Sequence, residues 1–133
     1  MVCRLEAGSF SLLLTLKVFS SDIQYPNNAI LEIALNSGDF SGSTSMDIDI
    51  KEFKSFVCNL SDLYETFRGS AAITEPYSKQ MIQFSSDRTG HIHVSGMLHY
   101  CDSNGHNQSL EFENSFDQTF LKSFASSLKE ILE

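Results

Sequence analysis

The chain has 133 residues, with 17 acidic and 9 basic side chains, and its formal net charge is −8. This length predicts a single domain over residues 1–133 that can bury a core of its own. Hydrophobic residues make up 41% of the chain and charged residues 20%, a balance typical of folded globular proteins and not of disordered ones.

The excess of acidic residues indicates which kinds of molecule the protein can bind. Lys and Arg are scattered without a cluster, which argues against nucleic acid and against an anionic membrane surface, because both attract concentrated positive charge. An acidic chain suits a basic protein partner, since opposite potentials steer encounter. The three cysteines are an odd number without a C-x-x-C spacing, which indicates reduced thiols in a cytoplasmic protein.

Alternating apolar and polar residues predict three strands in the first part of the chain, at residues 10–18, 29–36 and 42–49. Turn residues at 25–28 and 37–39 separate them. The first of these segments is apolar enough to resemble a signal peptide core. However, Lys17 interrupts it and no small-residue cleavage site follows it, so a strand is the better interpretation.

The pattern then changes to the three- and four-residue spacing of an amphipathic helix. Asp49 with Glu52 forms a potential capping box at its start, and Gly69 is a natural stop after Arg68 in the last turn. Cys58 lies beside the apolar stripe, so we expect it to be buried. The stripe consists of Phe53, Phe56, Val57, Leu60, Leu63, Tyr64 and Phe67.

The second part of the chain predicts four more strands and a closing helix. The strands fall at residues 70–74, 80–85, 91–101 and 108–113, with hairpin turns at 87–90 and 102–105. Ser115 with Gln118, or Asp117, can cap the helix. Its apolar stripe consists of Phe120, Leu121, Phe124, Leu128, Ile131 and Leu132. The order βββ-α-ββββ-α predicts an α+β fold in which one antiparallel sheet of six or seven strands carries both helices on its apolar face.

The strand at 91–101 carries a histidine pattern. His91 and His93 share one face, while Ile92, Val94, Leu98 and Tyr100 take the other face, which we expect to be the core side. An H-x-H pair is compatible with a metal site, but such a site needs a third ligand, and no spacing in the sequence supplies one. An ordinary polar sheet face is therefore the favoured interpretation, with a metal or small-ligand site as the alternative.

Carboxylates provide the other candidate surface. Glu111 and Glu113 alternate with Leu110 and Phe112, so they point to solvent from the last strand. We therefore predict a partner-binding surface made of Glu111, Glu113, His91 and His93. The chain has neither a nucleophile motif nor a glycine-rich phosphate-binding motif. This indicates a protein without catalytic residues and without a cofactor.

Three short motifs in a characteristic order suggest a family. Residues 60–71 fit L-x-x-L-Y-x-x-x-x-G-x-A, residues 90–96 fit G-H-I-x-V-x-G, and residues 117–121 fit D-Q-T-[YF]-L at the start of a helix that ends in L-K-x-I-L. From about Leu12 to Leu132 the chain resembles the small bacterial WapI-type immunity proteins and related uncharacterised domains.

This resemblance implies a cytoplasmic antitoxin of a polymorphic, contact-delivered toxin. Such a protein binds the toxic C-terminal domain, often a nuclease, and blocks it without performing chemistry. The first hypothesis is therefore a non-enzymatic inhibitor that occludes a basic toxin domain. The alternatives are a metal- or ligand-binding protein that uses His91 and His93, and a structural module that forms oligomers through an edge strand.

Overall fold

The computed structural model describes residues 2–19 and 28–132, so most of the predicted turn at 25–28 lies outside the described residues. The described part contains eight strands and two helices. In chain order they are β1 (Val2–Ala7), β2 (Phe10–Val18), β3 (Ala29–Ser37), β4 (Phe40–Ile48), α1 (Ile50–Thr66), β5 (Ser70–Thr74), β6 (Met81–Ser86), β7 (His91–Cys101), β8 (Asn107–Asp117) and α2 (Thr119–Ile131).

The strands form two antiparallel sheets of four strands each. Their orders are β1-β2-β3-β4 and β5-β6-β7-β8, so within each sheet every strand pairs with the strands that precede and follow it along the chain. The α+β class is confirmed, but the prediction of one sheet of six or seven strands is wrong. Both helices contact the second sheet, α1 at β5 and β6 and α2 at β8; α2 also packs against β1 of the first sheet, and the two helices pack against each other.

Phenylalanines connect the two sheets and the two helices in the core. Phe10 of the first sheet stacks on Phe112 and Phe116 of the second, with ring centroids 6.1 and 6.3 Å apart. Phe84 of β6 lies 6.1 Å from Phe56 of α1 and 6.2 Å from Phe124 of α2. Aromatic pairs at these distances add stability beyond that of their buried area.

The two sheets meet where β7 extends past β6. β6 pairs with β7 only over residues 92–97, and β4 approaches the end of β7 beyond that point. Side chains bridge the two strands there. The Gln80 amide accepts a hydrogen bond from the His99 N–H (3.0 Å) and donates one to the Ser45 carbonyl (2.9 Å), and the Thr44 hydroxyl donates to the His99 carbonyl (2.9 Å). The expected single sheet is interrupted at this junction because side chains take the place of a backbone ladder.

Glu75 also connects β4 to the second sheet at this junction. Its carboxylate accepts hydrogen bonds from the Asp47 N–H (2.6 Å), the Ser78 hydroxyl (2.6 Å) and the Gln80 amide (3.1 Å). Partial burial is the largest single effect on this carboxyl and opposes its ionisation. The three hydrogen bonds together outweigh burial, so the pKa of Glu75 is lowered.

The ends of α1 partly match the prediction. Asp49 is the N-cap, and its side chain accepts a hydrogen bond from the Lys51 N–H at 2.9 Å. The helix stops at Phe67, which adopts a left-handed φ of 56°, so Gly69 is not the stop that the sequence predicted. Arg68 consequently follows the helix and does not lie in its last turn. The N-cap of α2 is Gln118, which makes no side-chain cap hydrogen bond, so neither predicted cap occupies that position. Asp117, one residue earlier, accepts a hydrogen bond from the Thr119 N–H at 2.9 Å.

Three burial predictions are wrong, and one of them is Phe120 of the α2 stripe, which is 43% exposed. Cys58 is exposed, because it lies on the far side of α1 from the buried stripe. Tyr100 is 54% exposed although it shares the parity of buried Val94, because β7 has by then passed the end of β6. In the described residues, neither helix is long and apolar enough to cross a membrane.

Candidate functional site

The predicted binding residues lie together on the solvent side of the second sheet. The strand register places His91 opposite Asp117, and it places Ser95 and Met97 of β7 opposite Glu113 and Glu111. We call this surface the acidic face. It consists of twelve outward side chains of β6, β7 and β8, which are Met81, Gln83, Ser85, His91, His93, Ser95, Met97, Ser109, Glu111, Glu113, Ser115 and Asp117.

His93 and Glu113 are in direct contact on this face. The His93 Nε2 lies 3.4 Å from a Glu113 carboxylate oxygen, and its Nδ1 lies 3.3 Å from the Ser115 hydroxyl. The pair spans β7 and β8 diagonally, because Glu113 stands opposite Ser95 and Ser115 stands opposite His93. This contact orients the imidazole ring and leaves 74% of the Glu113 side chain exposed to a partner.

His91 turns away from that pair. Its Nδ1 lies 3.5 Å from an Asp87 carboxylate oxygen and 3.4 Å from the Thr89 hydroxyl, both in the turn between β6 and β7. Hydrogen bonds from the Thr89 and His91 backbone N–H groups lower the pKa of Asp87, the Thr89 bond most strongly. The turn therefore keeps an ionised carboxylate beside His91, and the two predicted histidines contact different acidic groups.

Glu111 and Asp117 complete the negative charge of the acidic face. The Glu111 side chain is exposed, stands opposite Met97, and makes no ion pair or hydrogen bond to the residues that the structure describes. A hydrogen bond from the Thr119 backbone N–H lowers the pKa of Asp117, so that carboxyl is held in its charged form.

The two sheets differ in how their charges are compensated. On the first sheet Arg4 pairs with Glu6 at 3.2 Å and Lys17 pairs with Glu32 at 2.7 Å. The strands of the second sheet contain no Lys or Arg at all. Its carboxylates therefore have no lysine or arginine within their own sheet, and the acidic face carries a net negative field toward solvent.

Gly96 in the middle of β7 lies on the inner side of the second sheet, opposite buried Phe112. A Cβ at this position would clash with the backbone carbonyl of Met81 and would lie 2.9 Å from the Phe112 ring. The register of β7 with β6 and with β8 is continuous through Gly96, so this glycine serves close packing and not a bulge. On the acidic face, beside the same part of β7, lies a shallow depression of about 390 Å³ that is lined in part by Met97, Glu111 and Glu113.

Another concave feature, which sequence reasoning missed, lies on the inner side of the second sheet. Phe40 and Tyr100, 70% and 54% exposed, line an open groove of about 360 Å³ together with Leu98 and Leu110. We call this feature the aromatic groove. The parity of Phe40 matches that of buried Met46 on the same strand, so alternation alone gave no signal of its exposure.

The geometry gives the metal alternative no observed support. Within residues 2–19 and 28–132, no three His, Cys, Asp or Glu side chains are close enough together to hold a metal ion. The three cysteines are unpaired, with Cys3 buried and Cys58 and Cys101 exposed.

Comparison with known proteins identifies a family. The model of the immunity protein WapI-like family matches residues 7–133, which is nearly the whole chain and includes every strand and helix except most of β1. No curated protein matches the chain.

Proposed function

The chain belongs to the immunity protein WapI-like family, and we propose that it neutralises a toxin domain by binding it through the acidic face. The observation that carries this proposal is the charge of the second sheet. Three carboxylates, Glu111, Glu113 and Asp117, lie on one exposed surface whose strands contain no lysine or arginine.

The acidic face fits a basic surface on the toxin. A nuclease or another enzyme that handles anionic substrates collects positive charge around its active site. Exposed carboxylates can occupy the positions where such a site binds phosphates, and the inhibitor then blocks access without performing chemistry. The family of the chain and the absence of a nucleophile motif in its sequence both favour inhibition by occlusion.

His91 and His93 have an orienting role in this proposal. Each imidazole contacts a carboxylate, His93 with Glu113 at 3.4 Å and His91 with Asp87 at 3.5 Å. A surface contact of this kind adds little stability, but it restricts the carboxylate before the partner arrives and lowers the entropy lost on binding. The three unpaired cysteines are consistent with a cytoplasmic location, where an antitoxin would meet a delivered toxin.

The test is capture from the source cell with the purified protein as bait, at about 50 mM and about 500 mM NaCl. We expect one toxin domain with a basic surface at equal stoichiometry, retained better at low salt. Its enzymatic activity should fall to zero at one equivalent of the immunity protein. A captured partner that is acidic, or whose capture is independent of salt, would contradict the proposed mechanism.

Two variants with equal net charge make the test specific to the surface. Glu111→Gln with Glu113→Gln removes two charges from the acidic face, and Asp62→Asn with Glu65→Gln removes two charges from the exposed side of α1. We expect the first variant to bind the toxin about tenfold more weakly, which corresponds to about 1.4 kcal/mol. The second variant should bind within about twofold of the unchanged protein.

A further inference from the structure

Strand β8 is the longest of the four edge strands, and its charged residues are all acidic. Natural proteins protect sheet edges with short strands, charged residues, proline or covering groups. β1 has six residues and carries Arg4, and β5 has five residues. The Gln80 and Glu75 side chains bind the backbone of β4. β8 has eleven residues, without lysine, arginine or proline, and pairs only with β7.

The ladder between β7 and β8 shows which backbone groups point outward. The Asp102 N–H donates to the His106 carbonyl at one end of the hairpin, and the Gln118 N–H donates to the Gly90 carbonyl at the other, both at 3.0 Å. Bonded and non-bonded pairs alternate in an antiparallel ladder. The even-numbered residues of β8 therefore bond to β7, and the odd-numbered residues direct their N–H and C=O groups to the free edge.

The outward groups belong to Ser109, Glu111, Glu113 and Ser115. Among the described residues, no backbone group outside the β7–β8 ladder forms a hydrogen bond with the backbone N–H or C=O groups of these four residues. The side chains of the same four residues lie on the acidic face. This edge therefore presents a row of free hydrogen-bonding groups directly beside two carboxylates.

We propose that the toxin binds by adding an extended strand to the free edge of β8. This inference rests on the proposed function and specifies how the partner contacts the surface. An added strand that bonds to the outward groups places alternate side chains beside Glu111 and Glu113. Lysine or arginine fits those positions, because opposite charges across neighbouring strands stabilise the pairing.

The intervening residues of the added strand face the inner side of the sheet. Leu110 lies on that side and lines the aromatic groove together with Phe40, which is 70% exposed. Apolar side chains fit there because they would bury exposed aromatic surface. The occupant that suits both sides is an extended segment in which basic and apolar residues alternate.

A second copy of this chain is a poorer occupant of the edge. Two β8 strands paired around a two-fold axis would bring the carboxylates of Glu111 and Glu113 close to their equivalents in the other copy. Like charges on neighbouring strands destabilise the pairing. We therefore expect a monomer in sedimentation equilibrium, and a dimer that is lost when Ser109→Pro removes an outward N–H of β8 would overturn the assignment of a basic partner.

The first experiment uses a peptide of about nine residues in which Lys and Val alternate. A peptide of equal composition, with its lysines and valines in two blocks, is the control. We expect the alternating peptide to slow hydrogen exchange at the amides of Ser109, Glu111, Glu113 and Ser115 in an NMR titration. The amides of Leu110 and Phe112, already bonded to β7, should be protected with and without peptide. Equal binding of both peptides, or no new protection, would overturn strand addition.

The second experiment removes one outward N–H without changing any charge. Ser109→Pro does this at an edge position where proline is tolerated, and Ser109→Ala keeps the N–H as the matched control. We expect Ser109→Pro to weaken binding of the peptide and of the toxin at least about tenfold, and Ser109→Ala to stay within about twofold. If charge removal at Glu111 and Glu113 weakens toxin binding while Ser109→Pro does not, strand addition fails and the proposed function stands. Because the peptide experiment needs no toxin, it tests the edge even where the proposed function fails.

Discussion

Gln80 connects the two sheets, and its replacement should destabilise the fold more than that of any other polar residue at the junction. The side chain is 4% exposed and makes three hydrogen bonds, to the Ser45 carbonyl at 2.9 Å, the His99 N–H at 3.0 Å and the Glu75 carboxylate at 3.1 Å. Each such bond contributes about 1 kcal/mol net. Gln80→Ala should therefore lower the free energy of unfolding by roughly 3 kcal/mol, a large part of the total of a small domain.

Urea denaturation followed by far-UV circular dichroism measures this loss. With a dependence on urea of about 1.5–2 kcal/mol per molar, the midpoint should fall by about 1.5–2 M. Gln83→Ala on β6, three residues after Gln80, is the control, because Gln83 is only half-buried; it should change the free energy by less than about 0.5 kcal/mol. Gln80→Met keeps the length of the side chain without its hydrogen bonds and should resemble Gln80→Ala. If Gln80→Ala and Gln83→Ala unfold at the same urea concentration, side-chain bridging does not hold the sheets together.

Three further predictions concern stability. The pKa of Glu75 is lower in the folded state, so its ionised form stabilises the fold above the ordinary pKa of 4.5, and this contribution is lost as the pH falls through the folded pKa. The free energy of unfolding of Glu75→Gln should therefore depend less steeply on pH below 4.5 than that of the unchanged protein. Parallel curves of unfolding free energy against pH for the two proteins would refute this. Gly96→Ala should lower the free energy of unfolding by at least about 2 kcal/mol, because the new Cβ clashes with the β6 backbone. Gly42→Ala, whose Cβ would lie an ordinary 3.4 Å from Leu110, should lower it by less than about 1 kcal/mol. Equal melting temperatures for the two variants would show that the backbone yields at residue 96. Asp49→Ala should cost about 1 kcal/mol by removing the cap of α1, with exposed Asp62→Ala near zero in the same thermal melts.

Much of the secondary structure could be predicted, because burial imposes a period that the residue order shows directly. The two-residue period of β7 and β8 was sufficient to place His91, His93, Glu111 and Glu113 on one face. The same rule was available for β1, where buried Cys3 and Leu5 alternate with exposed Arg4, but that short segment went unassigned. The α1 stripe was correct over its buried part, since a helix buries one side of its surface.

The errors have a common cause in long-range geometry. Whether β4 joins β7 through its backbone or through Gln80 depends on where β6 ends relative to β7, and no local pattern contains that offset. The exposure of Tyr100 follows from the same offset. The contacts of His93 with Glu113 and of His91 with Asp87 depend on the strand register and on the shape of the turn, which alternation does not determine.

We propose that the acidic face binds the toxin, and a comparison of two dissociation constants tests this binding surface. The purified toxin domain would be titrated with Glu111→Gln/Glu113→Gln and with Asp62→Asn/Glu65→Gln, two variants of identical net charge. We expect the Kd of the first to rise about tenfold at about 50 mM NaCl, with the difference shrinking as salt is added, and the Kd of the second to change by less than about twofold. Equal dissociation constants for the two variants would contradict the account and place the toxin on another surface of the protein.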